Sequence, residues 1–313
     1  MENRRLYTRR QLGKLALAAL PLAAAARVTS KIHGVEIGVA AYSYNTLPRE
    51  GLLDVILRSM TDSQLGDCLL YAPATEPVNL ADKARPRVRG RGPVDPNRAA
   101  ALEALRQWHL KVPLSFYTAI RKRFAAAGLE IATYEPSFVW PVMDEDIDKA
   151  CQVTKALGAK YLAEAFTKSV AKRVAPISDR YGIKVAFQGR PFLVTDPDAM
   201  RKPADFEEVF SYSKNFGSSI DTGDATAGGW DVLKFIEDTH DRVFSLNLKD
   251  RTKAGVSVPW GEGDAPLREV LQLIRNRKYP VRCYIDCDYA TAEGGSRLTD
   301  IERCYEFAKT ALA

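Results

Sequence analysis

The sequence predicts a (β/α)8 TIM barrel over residues 31–313, a single domain preceded by an export signal. Three observations predict it. Short apolar runs alternate with helical stretches eight times; polar side chains gather where the runs end; and no shift in composition marks a second domain. With 313 residues, 46% hydrophobic and 27% charged, the chain is long enough to bury one large core.

Residues 1–30 are of a different kind. Arg4, Arg5, Arg9 and Arg10 precede the apolar run Leu15 to Ala26, which is too short to span a bilayer and ends in small residues suited to signal peptidase. Thr8-Arg9-Arg10-Gln11-Leu12-Gly13-Lys14 resembles the twin-arginine pattern, so the mature protein is expected outside the cytoplasm, periplasmic or extracellular, with no integral membrane segment. Within residues 1–26, five basic residues against Glu2 give +4 of the chain's net +6, leaving +2 after cleavage. That balance argues against a nucleic-acid partner.

The expected strands are Val35–Ala40, Asp67–Tyr71, Leu129–Tyr134, Lys160–Ala165, Ile183–Gln188, Ser218–Asp221, Arg242–Leu248 and Arg282–Asp288. Helical patterns follow them at Pro48–Thr61, Ala99–Ala127, Asp144–Leu157, Ser169–Tyr181, Ala204–Asn215, Trp230–His240, Pro266–Asn276 and Leu298–Leu312. Pro113 should split the second of these, since it lacks an N–H and clashes with the preceding turn. The longest irregular piece, Ala72–Arg98, reads as a solvated loop rich in Arg, Pro and Gly.

Alternation along the strands tells which side chains enter the barrel. Lys184, Ala186 and Gln188 are expected inward on the fifth strand, Ser219 and Asp221 on the sixth, Ser245, Asn247 and Lys249 on the seventh, and Tyr284, Asp286 and Asp288 on the eighth. Glu164 joins them from the fourth, while Phe244, Leu246 and Leu248 are expected to face the helices. Tyr42 and Tyr44 read as pocket wall or core, and Glu135, before Pro136, as a pocket or turn residue. Cys283 and Cys287 share a strand face about 13 Å apart, too far for a disulfide, and all five cysteines are expected as buried thiols.

From roughly Gly38 onward the chain resembles the sugar phosphate isomerase/epimerase family with its xylose-isomerase-like barrel. The resemblance is carried by GVAAYSYNTLPREGLL, TKALGAKY, IDTGDATAGGWD, SLNLKDR, VPWGEGD and YEFAKTALA. It implies a site with Glu or His on the fifth strand, Asp-x-x-His on the sixth, His on the seventh and Glu on the eighth, binding a divalent metal. At these positions stand Gln188, Asp221 and Asp224, Asn247 and Asp286; Gly189 and Arg190 replace a polar pair, and none of the three histidines, His33, His109 and His240, lies at a strand end.

The resemblance therefore implies a metal set of Gln188, Asp221, Asn247 and Asp286. All its donors are oxygen, which suits Mn²⁺, Mg²⁺ or Ca²⁺ and disfavours zinc. Asp286 is the expected base, Glu164 a second one and Lys249 the stabiliser of an enediolate; Gln188, Asp224, Asn247, Arg251, Trp260, Glu262 and Asp288 are expected to bind substrate. An exported member would act on a non-phosphorylated sugar, keto-sugar or glycoside by isomerisation, epimerisation or β-elimination. The alternative is a carbohydrate-binding barrel that has lost catalysis and metal. Trp260-Gly261-Glu262-Gly263-Asp264 is either a substrate-covering loop or the turn into the next helix, with Asp264 as its cap.

Overall fold

The structure, a computed structural model, describes residues 26–85, 96–191 and 195–313. The expected export signal thus lies almost wholly outside the described residues, as does most of the arginine-rich stretch near 86–95. Strand β1 (Lys31–Ile32) runs antiparallel to β2 (Val35–Ala40), joined by His33 and Gly34 with φ of 46° and 94°. Both positive values fit a two-residue hairpin turn, which follows the strands' right-handed twist.

From β2 the sheet is parallel. It proceeds through β3 (Asp67–Tyr71), β4 (Glu130–Glu135), β5 (Tyr161–Glu164), β6 (Lys184–Phe187), β7 (Phe216–Asp221), β8 (Val243–Leu248) and β9 (Arg282–Ile285). β9 pairs back onto β2, closing an eight-stranded barrel. All eight expected strands are present, in the expected order.

The outer ring comprises α1 (Leu52–Asp62), α2 (Val78–Ala84), α3 (Pro96–Lys111), α4 (Leu114–Ala126), α5 (Asp144–Leu157) and α6 (Lys168–Tyr181). It continues through α7 (Pro203–Phe210), α8 (Thr222–Ala227), α9 (Val232–Thr239), α10 (Leu267–Arg277) and α11 (Arg297–Leu312). Local chemistry sets many of their ends. Asp144, Glu145 and Asp146 fill the first turn of α5, favoured by the helix dipole, and Gly158 closes it in the left-handed conformation. Pro113 separates α3 from α4 as expected.

Three expectations about helices need correction. Ala72–Arg98 is not wholly irregular, because α2 forms within it. The helix expected from Trp230 begins at Val232, capped by Asp231, and a separate short helix, α8, precedes it with Asp221 as its cap. The stretch expected as Ala204–Asn215 stops at Phe210.

Inside the barrel, large and small side chains alternate. Tyr284 crosses the interior to meet Thr133, hydroxyl to hydroxyl, at 2.8 Å. Gly38 makes room for it: a Cβ there would stand 2.9 Å from the Tyr284 ring and 2.6 Å from the Asp67 carbonyl. Lower down, Phe244 packs with Ala163, Ala186 and Tyr161, the last stacked on it at 5.1 Å between centroids. Phe244 therefore faces inward, against expectation. The reason is a register shift: Ser218 pairs with Val243 but Ser219 with Ser245, so Phe244 is the extra residue of a bulge and escapes strict alternation.

Candidate active site

Polar side chains from seven strand ends converge on a cavity of about 480 Å³ at the C-terminal mouth of the barrel. This is where a (β/α)8 fold presents the loops that follow its strands. Two charged clusters divide it.

The first is built around Lys249, just past β8. Its backbone is fixed by Thr222, whose Oγ1 accepts from the Lys249 N–H at 2.9 Å and donates to its carbonyl at 2.8 Å. The ammonium lies 2.8 Å from Asp221 Oδ2, 3.4 Å from Asp286 Oδ2 and 3.5 Å from Asp288 Oδ2. Burial works against its charge, yet Asp221, Asp286 and Asp288 outweigh that and hold its pKa well above the ordinary value. Arg251 extends the cluster, with Nε 2.9 Å from Asp224 Oδ1 and Nη2 2.6 Å from Asp288 Oδ2.

Asp286 is 4% exposed, and burial pushes its carboxyl up to about 7 despite the attraction of Lys249. Its Oδ1 and the Oδ1 of Asn247 are buried without a hydrogen-bond partner among the described residues. A buried acceptor left unpaired is costly, so both atoms are poised for a ligand that donates to them. Asp224 rises to about 6 through burial and the charge of Asp221.

The second cluster lies across the cavity. Gln188 Nε2 donates to Glu135 Oε2 at 3.1 Å, and Glu164 accepts from the N–H groups of Phe138 at 3.0 Å and Ala165 at 2.9 Å. Burial and the neighbouring Glu164 push Glu135 up to about 8, while burial also raises Glu164. Arg190 lines the same wall, its charge favoured by Glu135 and Asp224 against the penalty of burial.

With the geometry in hand, comparison with solved structures places the fold. No family model and no curated protein matches the sequence. A sugar phosphate isomerase/epimerase from Parabacteroides distasonis superposes with a TM-score of 0.59 at 14% identity, covering 92% of this chain and 99% of that one. A D-tagatose 3-epimerase-like protein gives 0.60 at 15% identity, covering 89% and 97%, and an L-ribulose 3-epimerase 0.60 at 12%, covering 89% and 94%. The chain shares the closed (β/α)8 fold of these proteins and of a xylose isomerase domain-containing protein from Salmonella typhimurium.

Within the barrel, the expected metal ligands have protein partners of their own. Gln188 is turned to Glu135; Asp221 has one oxygen on the Asp224 N–H at 2.8 Å and the other on Lys249; and Lys249 stands among the carboxylates where a cation would be held. Among the described residues no group of three or more His, Cys, Asp or Glu is arranged to hold a metal ion. As folded, Asp221, Asp286 and Asp288 surround the Lys249 ammonium.

The barrel brings Glu164, Gln188, Asp221, Asp224, Asn247, Lys249, Arg251, Asp286 and Asp288 to the cavity. Trp260 and Glu262 are not among its lining residues. Asp250 gathers their loop instead, accepting from Gly261 N at 2.8 Å and Gly263 N at 3.1 Å, while Trp260 packs against Phe307. Nor does Asp264 cap α10; its Oδ2 accepts from Lys253 N at 2.7 Å. Tyr42 is pocket wall and Tyr44 core, the latter fully buried on Ser59. Sequence reasoning gave no definite role to Glu135, the last residue of β4, or to Arg190, three residues past β6, although a place at or just beyond a strand end is the signal.

Proposed function

We propose that the protein is a carbohydrate-active enzyme that moves a proton at the carbon next to a sugar carbonyl, with Asp286 as base and Lys249 as the fixed positive charge. One observation carries this reading. Asp286 is buried in the cavity with a near-neutral pKa, a free Oδ1 and an ammonium 3.4 Å from its other oxygen. A carboxylate poised near neutrality accepts and returns a proton without a large mismatch in driving force. Lys249 takes the part that the family resemblance gives to a divalent cation, steadying negative charge on the enediolate oxygen.

The facing wall supplies the other half. Glu164, expected as the second base, has both oxygens held by backbone N–H groups, which stabilise its charged form. Glu135 beside it is then the carboxyl that holds a proton near neutral pH and can return it to the sugar. Asn247 and Gln188 orient hydroxyls between the two walls. The names of the structural neighbours, an L-ribulose 3-epimerase and a D-tagatose 3-epimerase-like protein, support a ketose as the substrate class. Export by the N-terminal signal would present the enzyme with free or oxidised sugars rather than phosphorylated ones.

The test is hydrogen exchange. Full-length protein with chelator present is incubated in deuterium oxide with D-tagatose, L-ribulose or a keto-glycoside, and loss of the proton next to the carbonyl is followed by NMR. Wild type should exchange it, and Asp286→Asn should slow exchange by about 100-fold or more. Undiminished exchange by Asp286→Asn rejects the assignment of the base. Saturable sugar binding without any exchange would instead make the barrel a carbohydrate-binding protein.

A further inference from the structure

All five cysteines are buried thiols, and two of them meet where the last helix packs against the last strand. Cys287 lies just past β9, between Asp286 and Asp288, and Cys304 lies on α11; their sulfurs are 3.6 Å apart. Spacing along one strand separates Cys283 from Cys287, but the fold brings a different partner to Cys287 from the chain's end. Both side chains are shielded from solvent, at 0% and 1% exposure.

We propose that Cys287 and Cys304 are a disulfide pair, joined when the protein meets a disulfide oxidant, which fastens the strand end carrying Asp286 and Asp288 to the C-terminal helix. Cys287 is already fixed: its N–H donates to Ser43 Oγ at 2.9 Å, and Ser43 donates to the Ile285 carbonyl at 3.1 Å. Closing the gap to a bond of about 2.05 Å therefore falls to side-chain rotation, chiefly of Cys304 on its helix. The Tyr289 hydroxyl, 3.8 Å from the Cys304 sulfur, is the neighbour that has to yield.

The chemistry balances with a small-molecule disulfide such as oxidised glutathione. One thiol loses its proton and attacks the oxidant, releasing one glutathione thiol; the second loses its proton and displaces the other. Two S–H bonds are lost and one S–S bond forms, while two electrons reduce the oxidant. Burial holds the Cys304 thiol far above its ordinary pKa, so attack has to pass through opening of α11 or through the folding chain, and in the folded protein it is slow.

The full chain, equilibrated with excess oxidised glutathione, is denatured and alkylated, and its peptides are mapped by mass. Two of the five thiols should be lost, with the peptide of Cys287 joined to that of Cys304 and the intact mass lower by two hydrogens. Melting should rise by roughly 5 °C on oxidation and fall back on reduction. Cys304→Ala should keep Cys287 free, while Cys283→Ala should still form the bridge. Five alkylated thiols, glutathione retained on either residue, or a bridge between another pair overturns the proposal, and the wild-type map decides this even if a variant does not fold.

Discussion

Replacing Lys249 by Met removes the charge around which the first cluster is assembled while keeping most of the side-chain volume. Lys249 is 7% exposed, and its ammonium lies 2.8, 3.4 and 3.5 Å from three carboxylates. At an effective dielectric of about 20, each contact is a gross attraction of roughly 5 kcal/mol, most of it offset by desolvation of the ions. The net loss expected on deleting one member of such a buried set is about 3–5 kcal/mol. For a chain of this length that is a fall in Tm of roughly 5–8 °C. The loss should depend on pH, because protons can replace the missing ammonium on Asp286 and its neighbours. Calorimetry of wild type and Lys249→Met at pH 8 and pH 5 should show a wide gap that narrows on acidification. Equal melting of the two at pH 8, or a gap unchanged at pH 5, would refute the view that Lys249 is the counter-charge of the site.

Other expectations follow from the same geometry. Lys249→Ala vacates the space among Asp221, Asp286 and Asp288, so Mn²⁺ should raise the melting temperature of this variant and leave wild type unmoved in a thermal-shift titration. Asp286 and Glu135 have folded pKa values raised to about 7 and about 8, so the native state binds more protons than the unfolded chain. Their contribution is then fully present at acid pH and lost as pH rises through those values. For Asp286 alone this is on the order of 4 kcal/mol between pH 4 and 8, and wild-type melting over that range should fall as pH rises. Glu135→Gln should flatten the upper part of that profile; an unchanged profile would remove Glu135 from the account. Gly38→Ala places a methyl 2.6 Å from the Asp67 carbonyl and 2.9 Å from the Tyr284 ring, and should destabilise by about 1–3 kcal/mol in denaturant titration.

The site was partly legible before folding. Asp221, Asn247, Lys249 and Asp286 each close an apolar run, and a parallel barrel puts every such end at one mouth, so their meeting in one cavity follows from position alone. Trp260 and Glu262 were less legible, because a glycine-rich loop can close over a ligand or fold on itself, and only the structure shows the carboxylate of Asp250 capturing its N–H groups. Phe244 misled because alternation holds only where register is unbroken.

What the sequence determined by itself was the succession of strands and helices, and hence the barrel and the place of its site, because hydrophobic periodicity and capping are properties of neighbours along the chain. What only the tertiary structure decided was how the charges pair: Lys249 among three aspartates, Gln188 turned to Glu135, Glu164 held by Phe138 and Ala165, and Cys287 beside Cys304. Such pairings depend on side-chain rotation and on distances of a few ångströms between segments far apart in the chain, and no local pattern encodes them.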